Sequence, residues 1–170
     1  MSRNKVILVD ENDMVIGEMD KMEAHIKGEL HRAFSVFIFN EKNEMLLQQR
    51  SNQKYHGGGL WSNACCSHPQ WGEDVKESAL ERLAFEMGLH CEIENRFSFL
   101  YKASVENNLI EHEYDHVFTG ITSQEPKPNA DEVQDFKWIS VPELQKDIRA
   151  NPGRYTFWFK KALPILMEKL

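Results

Sequence analysis

Cys66 and His68 stand two residues apart in the run WSNACCSHP, residues 61–69. On an extended strand, positions i and i+2 project to the same face, so a thiol and an imidazole placed here would meet one cavity. Two other places hold side chains that would complete it: His25 with His31 upstream, and Glu111 with Glu113 downstream. Three imidazoles, two carboxylates and a thiol in one cavity make a metal centre with a proton-transfer group beside it.

Each piece also has a plainer reading. His25 and His31 are six residues apart with Gly28 between them, which is not the i,i+4 spacing of a helical metal pair. Alone they are polar surface residues, and they converge only if the intervening segment curls back. The run LIEHEYDHVFTGI, residues 109–121, alternates with period two. One face holds Glu111, Glu113 and Asp115; the other holds Ile110, His112, Tyr114, His116 and Phe118. Three carboxylates along one strand face repel one another. In water they form a solvated edge, whereas a cation facing them offsets the repulsion.

Anion-binding features lie nearby in the chain. The loop SNQKYHGGGLW, residues 51–61, has three successive glycines that would let the backbone approach an anion, with Arg50 and Lys54 on its flank. Its bland reading is a flexible connection. Asp74 is placed to cap a helix with Glu77 three residues on, Val75, Ala79, Leu80, Leu83 and Met87 follow a 3.6-residue period, and Gly88 ends it. Arg82 and Glu86 lie four apart on another flank of that helix. They form either a surface ion pair or a ligand-facing pair, Arg82 toward anionic oxygens and Glu86 toward a cation bound to them.

The remaining elements must position these groups. Residues 5–10 read as a short buried strand and HRAFSVFIFN, opened by His31, as a central one. NEKNE provides a turn and MLLQQR an antiparallel return strand. Residues 90–104 form a strand with Tyr101 near its end, and EVQDFKWISV forms the last strand. PELQKDIRANPG is a short helix with Pro142 in its first turn. In the tail, Tyr155, Phe157, Trp158 and Phe159 pack a terminal helix on the core.

Composition narrows the partners. At 170 residues with 41% hydrophobic and 28% charged side chains, a single soluble domain spanning 1–170 is expected. A net charge of -7 argues against nucleic acid and anionic membranes, while a small anion remains possible if a few cations converge. Three cysteines, two of them adjacent, do not make a disulfide framework, and no apolar run approaches the ~20 residues of a bilayer span. These features fit a reduced, cytoplasmic setting.

In order along nearly the whole chain, His25 and His31, WSNACCSHP, EHEYDHVF and a Tyr-x-Phe-Trp segment resemble type I isopentenyl-diphosphate delta-isomerase. That resemblance implies an α/β fold, a Nudix-like mixed β-sheet sandwiched between helices. It implies interconversion of isopentenyl and dimethylallyl diphosphate, in isoprenoid biosynthesis, by protonation and deprotonation through a tertiary carbocation. It further implies Mn2+, Zn2+ or Mg2+ held by His25, His31, His68, Glu111 and Glu113, and Mg2+ on the substrate diphosphate held partly by Glu86. Lys21, Arg50, Lys54 and Arg82 would grip the diphosphate. Cys66 and Glu113 would flank the substrate as acid and base in an order left open, with Tyr101 sharing the proton of Glu113 and the Trp158 ring against the cation. The partner is then a small homoallylic or allylic diphosphate, and the enzyme a monomer or weak dimer.

The alternative is a Nudix-type diphosphate hydrolase. Against that motif the chain keeps Glu73, Glu86 and Gly88, but has Glu81-Arg82 where the motif has Arg-Glu, and Phe85 where it has a glutamate. Those changes remove carboxylates that a hydrolase needs for its metal cluster. A third reading is a noncatalytic metal-binding or redox-sensing module built on Cys65 and Cys66.

Overall fold

The strand opened by His31 is the axis of the fold. The computed structural model describes residues 3–54 and 56–170, so Met1, Ser2 and Tyr55 of the glycine loop lie outside the described residues. In chain order the elements are β1 (Lys5–Val9), β2 (Val15–Asp20), α1 (Lys21–Lys27), β3 (His31–Phe39), β4 (Glu44–Arg50), β5 (Trp61–Ser62) and β6 (Cys65–Ser67). They continue as α2 (Val75–Met87), β7 (Ile93–Ser104), β8 (Ile110–Ile121), β9 (Val133–Ser140), α3 (Val141–Ala150) and α4 (Phe157–Lys169). Among the described residues, nine strands join one mixed sheet.

β3 runs parallel to β8 in a register that sets His31 opposite Glu113 and Phe39 opposite Ile121. Its other edge pairs antiparallel with β6, Ser35 opposite Cys66. The expected β3–β4 hairpin has the expected direction but not the expected pairing. The two strands meet only at Phe39 and Met45, after which β4 pairs with β9 from Glu44 to Arg50. β6 fills the gap, and buried amides hold the wedge: Gln48 Nε2 donates to the Ala64 carbonyl at 2.7 Å and Asn63 Nδ2 to the Val36 carbonyl at 2.9 Å.

Alternation along β3 builds two cores. Phe34, Val36 and Ile38 pack with Ala79, Leu83 and Met87 of α2, while Phe37 packs with Trp158, Phe159 and Leu163 of α4. The sheet is therefore sandwiched between helices, each such buried side chain contributing about 1.5–3 kcal/mol of apolar transfer. His31, Ala33 and Ser35 alternate onto the α4 side with Phe37. α2 begins and ends where its caps require. The Asp74 carboxylate accepts from the Glu77 backbone N–H at 3.0 Å, and Gly88 adopts φ 66° in the left-handed region. A Cβ on Gly88 would come within 2.8 Å of both Cβ and O of Lys127.

Candidate active site

The acid row of β8 lies inside the protein. Glu111, Glu113 and Asp115 are 1%, 7% and 1% exposed, which excludes the solvated-edge reading. Sheet register then assembles a cluster around Glu113. Tyr101 on β7 stands directly opposite it and its hydroxyl donates to Glu113 Oε1 at 2.7 Å. Glu113 Oε2 lies 3.3 Å from His31 Nε2 and 3.0 Å from His68 Nε2.

His25 reaches the cluster by the curl the spacing required. Asp20 caps α1 by accepting from the Glu23 backbone N–H at 3.2 Å, and Gly28 at φ 72° reverses the chain. The rings of His25 and His31 come within 5.0 Å, and His68 lies 5.0 Å from His31 and 5.9 Å from His25. Ligand atoms of His25, His31, His68 and Glu113 all lie within 4.8 Å of one another. Glu111 instead groups with His25 and His56 at the same limit.

These residues fit a divalent cation. His25 Nδ1 lies 2.7 Å from the Lys21 carbonyl and His31 Nδ1 2.9 Å from the Glu29 carbonyl. A carbonyl accepts only from a protonated nitrogen, so Nδ1 carries a proton in both rings and Nε2 is the atom turned to the cluster, free to ligate once its own proton is displaced, the arrangement that orients metal-binding histidines. Burial lowers His25 and His56 to about 4 and His68 to about 3, which keeps them neutral and able to ligate. Burial works against ionised Glu113, but hydrogen bonds from His31 and His68 hold it well below the usual carboxylate range. Burial, and then the charge of Glu113, lift Glu111 to about 9. A cation between the two would reverse that mutual opposition.

Cys66 lines the same cavity of about 590 Å³, as do Glu113, His68, Phe34 and Trp158. Its Sγ lies 3.1 Å from Asn63 Oδ1 and 3.4 Å from Ser35 Oγ. Ser35 in turn donates to Asp115 at 2.7 Å. Burial and the neighbouring Asp115 push the thiol well up, so Cys66 holds its proton. Cys65 points the other way into the α2-side core. A vicinal pair divided between two faces of the sheet is poorly placed to act as a redox unit.

The cavity wall also carries cations. Lys21, Arg50, Lys54 and Arg82 line it, as does Arg3, which sequence reasoning passed over. Acids interleave with them. Arg82 Nη2 lies 2.9 Å from Glu86 Oε2 and 3.6 Å from Glu132 Oε1, and Lys54 pairs with Glu132. Burial lowers Lys54 to about 8, opposed by Glu86 and reinforced by Arg50, Arg82 and Lys21. Crowded ammonium and guanidinium groups of this kind bind an anion with several oxygens. The Arg50 guanidinium also lies over the Trp158 ring, 4.9 Å from its centroid.

Two further residues near these groups were missed. Glu132 falls in a proline-containing loop whose composition signalled only a connection. His56 was hidden among glycines, yet it is 6% exposed and its Nε2 lies 2.7 Å from Glu111 Oε2. Glu73, retained from the hydrolase motif, serves the backbone instead. It accepts from the Gln70 N–H and the Ser78 hydroxyl at 2.7 and 2.8 Å and pairs with Arg3.

The NUDIX domain model matches residues 29–159. Among solved structures, the chain is similar to a Deinococcus radiodurans protein (TM-score 0.70, 17% identity, 86% of this chain and 89% of that one). It is also similar to a MutT NUDIX hydrolase from Burkholderia pseudomallei (TM-score 0.64, 18% identity, 79% and 96%). At such identity these likenesses show the fold. Sequence relatives reach further. Isopentenyl-diphosphate Delta-isomerase of Pectobacterium atrosepticum is 48% identical over 94% of this chain and 89% of its own length. Isopentenyl-diphosphate Delta-isomerase 2 of Photorhabdus laumondii is 49% identical over 93% and 89%. With the fold, the histidine and glutamate cluster and this similarity over most of both lengths, the chain belongs to the isopentenyl-diphosphate Delta-isomerase family of the NUDIX fold.

Proposed function

We propose that this chain interconverts isopentenyl and dimethylallyl diphosphate. The observation that carries the reading is a half-buried thiol and a buried carboxylate, Cys66 and Glu113, lining one cavity that Lys21, Arg50, Lys54 and Arg82 also line. An unactivated alkene is a weak base, so protonating it requires an acid held at the double bond in a site without competing water. Cys66 and Glu113 take the two proton transfers, one adding a proton to give a tertiary carbocation and the other removing one from the neighbouring carbon.

Mn2+, Zn2+ or Mg2+ held by His25, His31, His68, Glu113 and Glu111 supplies the positive charge that offsets the acid row and acidifies the Glu113 carboxyl. Tyr101 shares the proton of Glu113 through their 2.7 Å hydrogen bond. Lys21, Arg50, Lys54 and Arg82 hold the diphosphate, and Glu86 contributes to its Mg2+. Trp158, 5% exposed, excludes water and offers ring electrons to the carbocation, worth up to ~2 kcal/mol or more in a dry site. Residues 1–170 act as one domain, as a monomer or weak dimer, on a small diphosphate in the cytoplasm. Among the described residues no helix is long and apolar enough to cross a membrane.

Incubation of isopentenyl diphosphate in heavy water tests this. Deuterium should appear in the dimethylallyl product, and Cys66→Ala should lower the rate by about 10²–10⁴-fold, the contribution of a positioned acid or base. Inorganic phosphate release without isomerisation, indifferent to Cys66→Ala, would return the chain to the hydrolase reading.

A further inference from the structure

One buried imidazole of the cavity, His56, has no part in the reaction just described. It rides on the loop between β4 and β5, and its Nε2 lies 2.7 Å from Glu111 Oε2. A contact that short between an imidazole nitrogen and a carboxylate oxygen encloses one proton, so it is a hydrogen bond. The same ring lies edge-on to Trp158, centroids 5.7 Å apart and planes at 70°. Its backbone carbonyl accepts from Arg50 Nη2 at 3.2 Å, and Arg50 covers Trp158. The next residue, Gly57, has φ 68°, and a Cβ there would come within 3.1 Å of Arg50 Nε and 3.5 Å of the Trp158 ring. The loop is thus seated against the acid row, the aromatic wall and a diphosphate-binding cation at one point.

His25 belongs to both candidate ligand groups. Its Nδ1 is directed at the Lys21 carbonyl, so Nε2 serves both groups, and one imidazole nitrogen binds one ion. The two groups are therefore two flanks of a single site. Glu111 lies on the flank that His56 shapes.

We propose that His56 is a positioning residue that aims Glu111 at the metal and so couples metal occupancy to the seating of loop residues 56–60 against Trp158 and Arg50. This rests on the cavity holding a divalent cation, as read above. Groups that orient a metal ligand from outside are worth about 10–100-fold in affinity. Since His56 acts through Glu111, the two residues must also fail to add.

Calorimetric titration with Mn2+ and amide hydrogen exchange of residues 56–60 test the proposal on wild type, His56→Ala, His56→Gln and Glu111→Gln. His56→Ala should weaken Mn2+ binding about 10–100-fold. His56→Gln, whose amide N–H replaces Nε2–H, should recover affinity to within about fivefold. In a Glu111→Gln background, His56→Ala should change affinity by less than about twofold. Mn2+ should slow exchange across 56–60 in the wild type and fail to do so in His56→Ala. Pulsed electron paramagnetic resonance should count the same number of bound nitrogens in His56→Gln as in the wild type.

A nitrogen lost in His56→Gln would make His56 a direct ligand and overturn the positioning role. So would undiminished affinity in His56→Ala, or a wild-type loop whose exchange ignores Mn2+, a measurement that does not depend on any variant folding. A wild-type protein that binds no Mn2+ removes the site reading and this inference together. Tight wild-type binding with an indifferent His56→Ala removes the inference alone.

Discussion

Stripped of metal, this protein should be most stable near pH 6.5 and weaken on both sides, because of where the cavity holds protons. Burial depresses His25 and His56 to about 4 and His68 to about 3. Between those values and the ordinary imidazole value near 6.5, the unfolded chain binds protons that the folded chain refuses, so stability rises with pH through that window. Glu111 has the opposite sign. Burial, then Glu113, raise it to about 9, so from about 4.5 upward the folded chain keeps a proton that the unfolded chain has released, and stability falls as pH rises. Asp115, lifted well up by burial and then by Glu113, does the same, and His31 adds to this descending limb. Burial opposes its charge, but the hydrogen bond and charge of Glu113 outweigh burial and raise its pKa, so it too keeps a proton above pH 6.5.

Each proton changes stability by about 1.4 kcal/mol per pH unit. Three histidines set against the two retained carboxyl protons of Glu111 and Asp115 give a net rise of about 1.4 kcal/mol per unit between about pH 4.5 and 6. Two retained carboxyl protons, with a third on His31, give a fall of about 2.7–4.1 kcal/mol per unit from about pH 7 to 8, above which Lys54, lowered to about 8, begins to oppose it. Against a total of about 5–15 kcal/mol, both limbs are large. Urea unfolding of chelator-treated protein from pH 5 to 9 measures them directly. Glu111→Gln should remove about 1.4 kcal/mol per unit from the descending limb, and saturating Mn2+, which competes with the same protons, should flatten it. Metal-free stability that stays level or climbs from pH 6.5 to 8.5 would refute the assignment of protons to Glu111, Asp115 and His31.

Trp158→Ala should lower turnover much more than it weakens diphosphate binding, because the ring acts on a charge that exists only after protonation. Equal losses in both, by steady-state kinetics and titration with the diphosphate, would remove the ring from that role. Gly88→Ala should cost about 2 kcal/mol or more, combining left-handed strain with a close approach to Lys127. Its melting temperature should therefore fall by at least about 4 °C in a chain of this size. A melt within about 1 °C of wild type would show that the 127–129 segment gives way freely.

Much of the fold was legible where its signals are local. α2 can be read from Asp74 and Gly88 because a helix terminus is decided by neighbours a few residues away, and both act as their positions suggest, while Glu77 contributes its backbone N–H to the Asp74 cap. α1 spans seven residues, too few for periodicity to emerge, so its Asp20 cap and Gly28 stop went unread and the convergence of His25 with His31 remained a condition. β5 and β6, two and three residues long, have no pattern of their own. They form because Gln48 and Asn63 supply buried hydrogen bonds that a linear reading takes for surface polarity.

The site divides along the same line. Alternation placed Glu111, Glu113 and Asp115 on one face but left open whether that face met water or a cation, and only tertiary packing decides, with α4 packed beside Val117 on that face and the histidines gathered at Glu113. His56 shows the limit more sharply. Its partner Glu111 lies 55 positions away, and its own neighbours are glycines, whose evident meaning is backbone freedom. Yet that freedom admits the histidine: Gly57 takes the left-handed conformation and leaves room for Arg50 and Trp158 where a Cβ would intrude. A cluster of buried acids that destabilises the metal-free chain above neutral pH is tolerable in a fold only if a ligand reverses its sign. The same reversal that lets the cavity bind a cation tightly makes the acid row, and the loop leaning on it, the part of the molecule most responsive to occupancy.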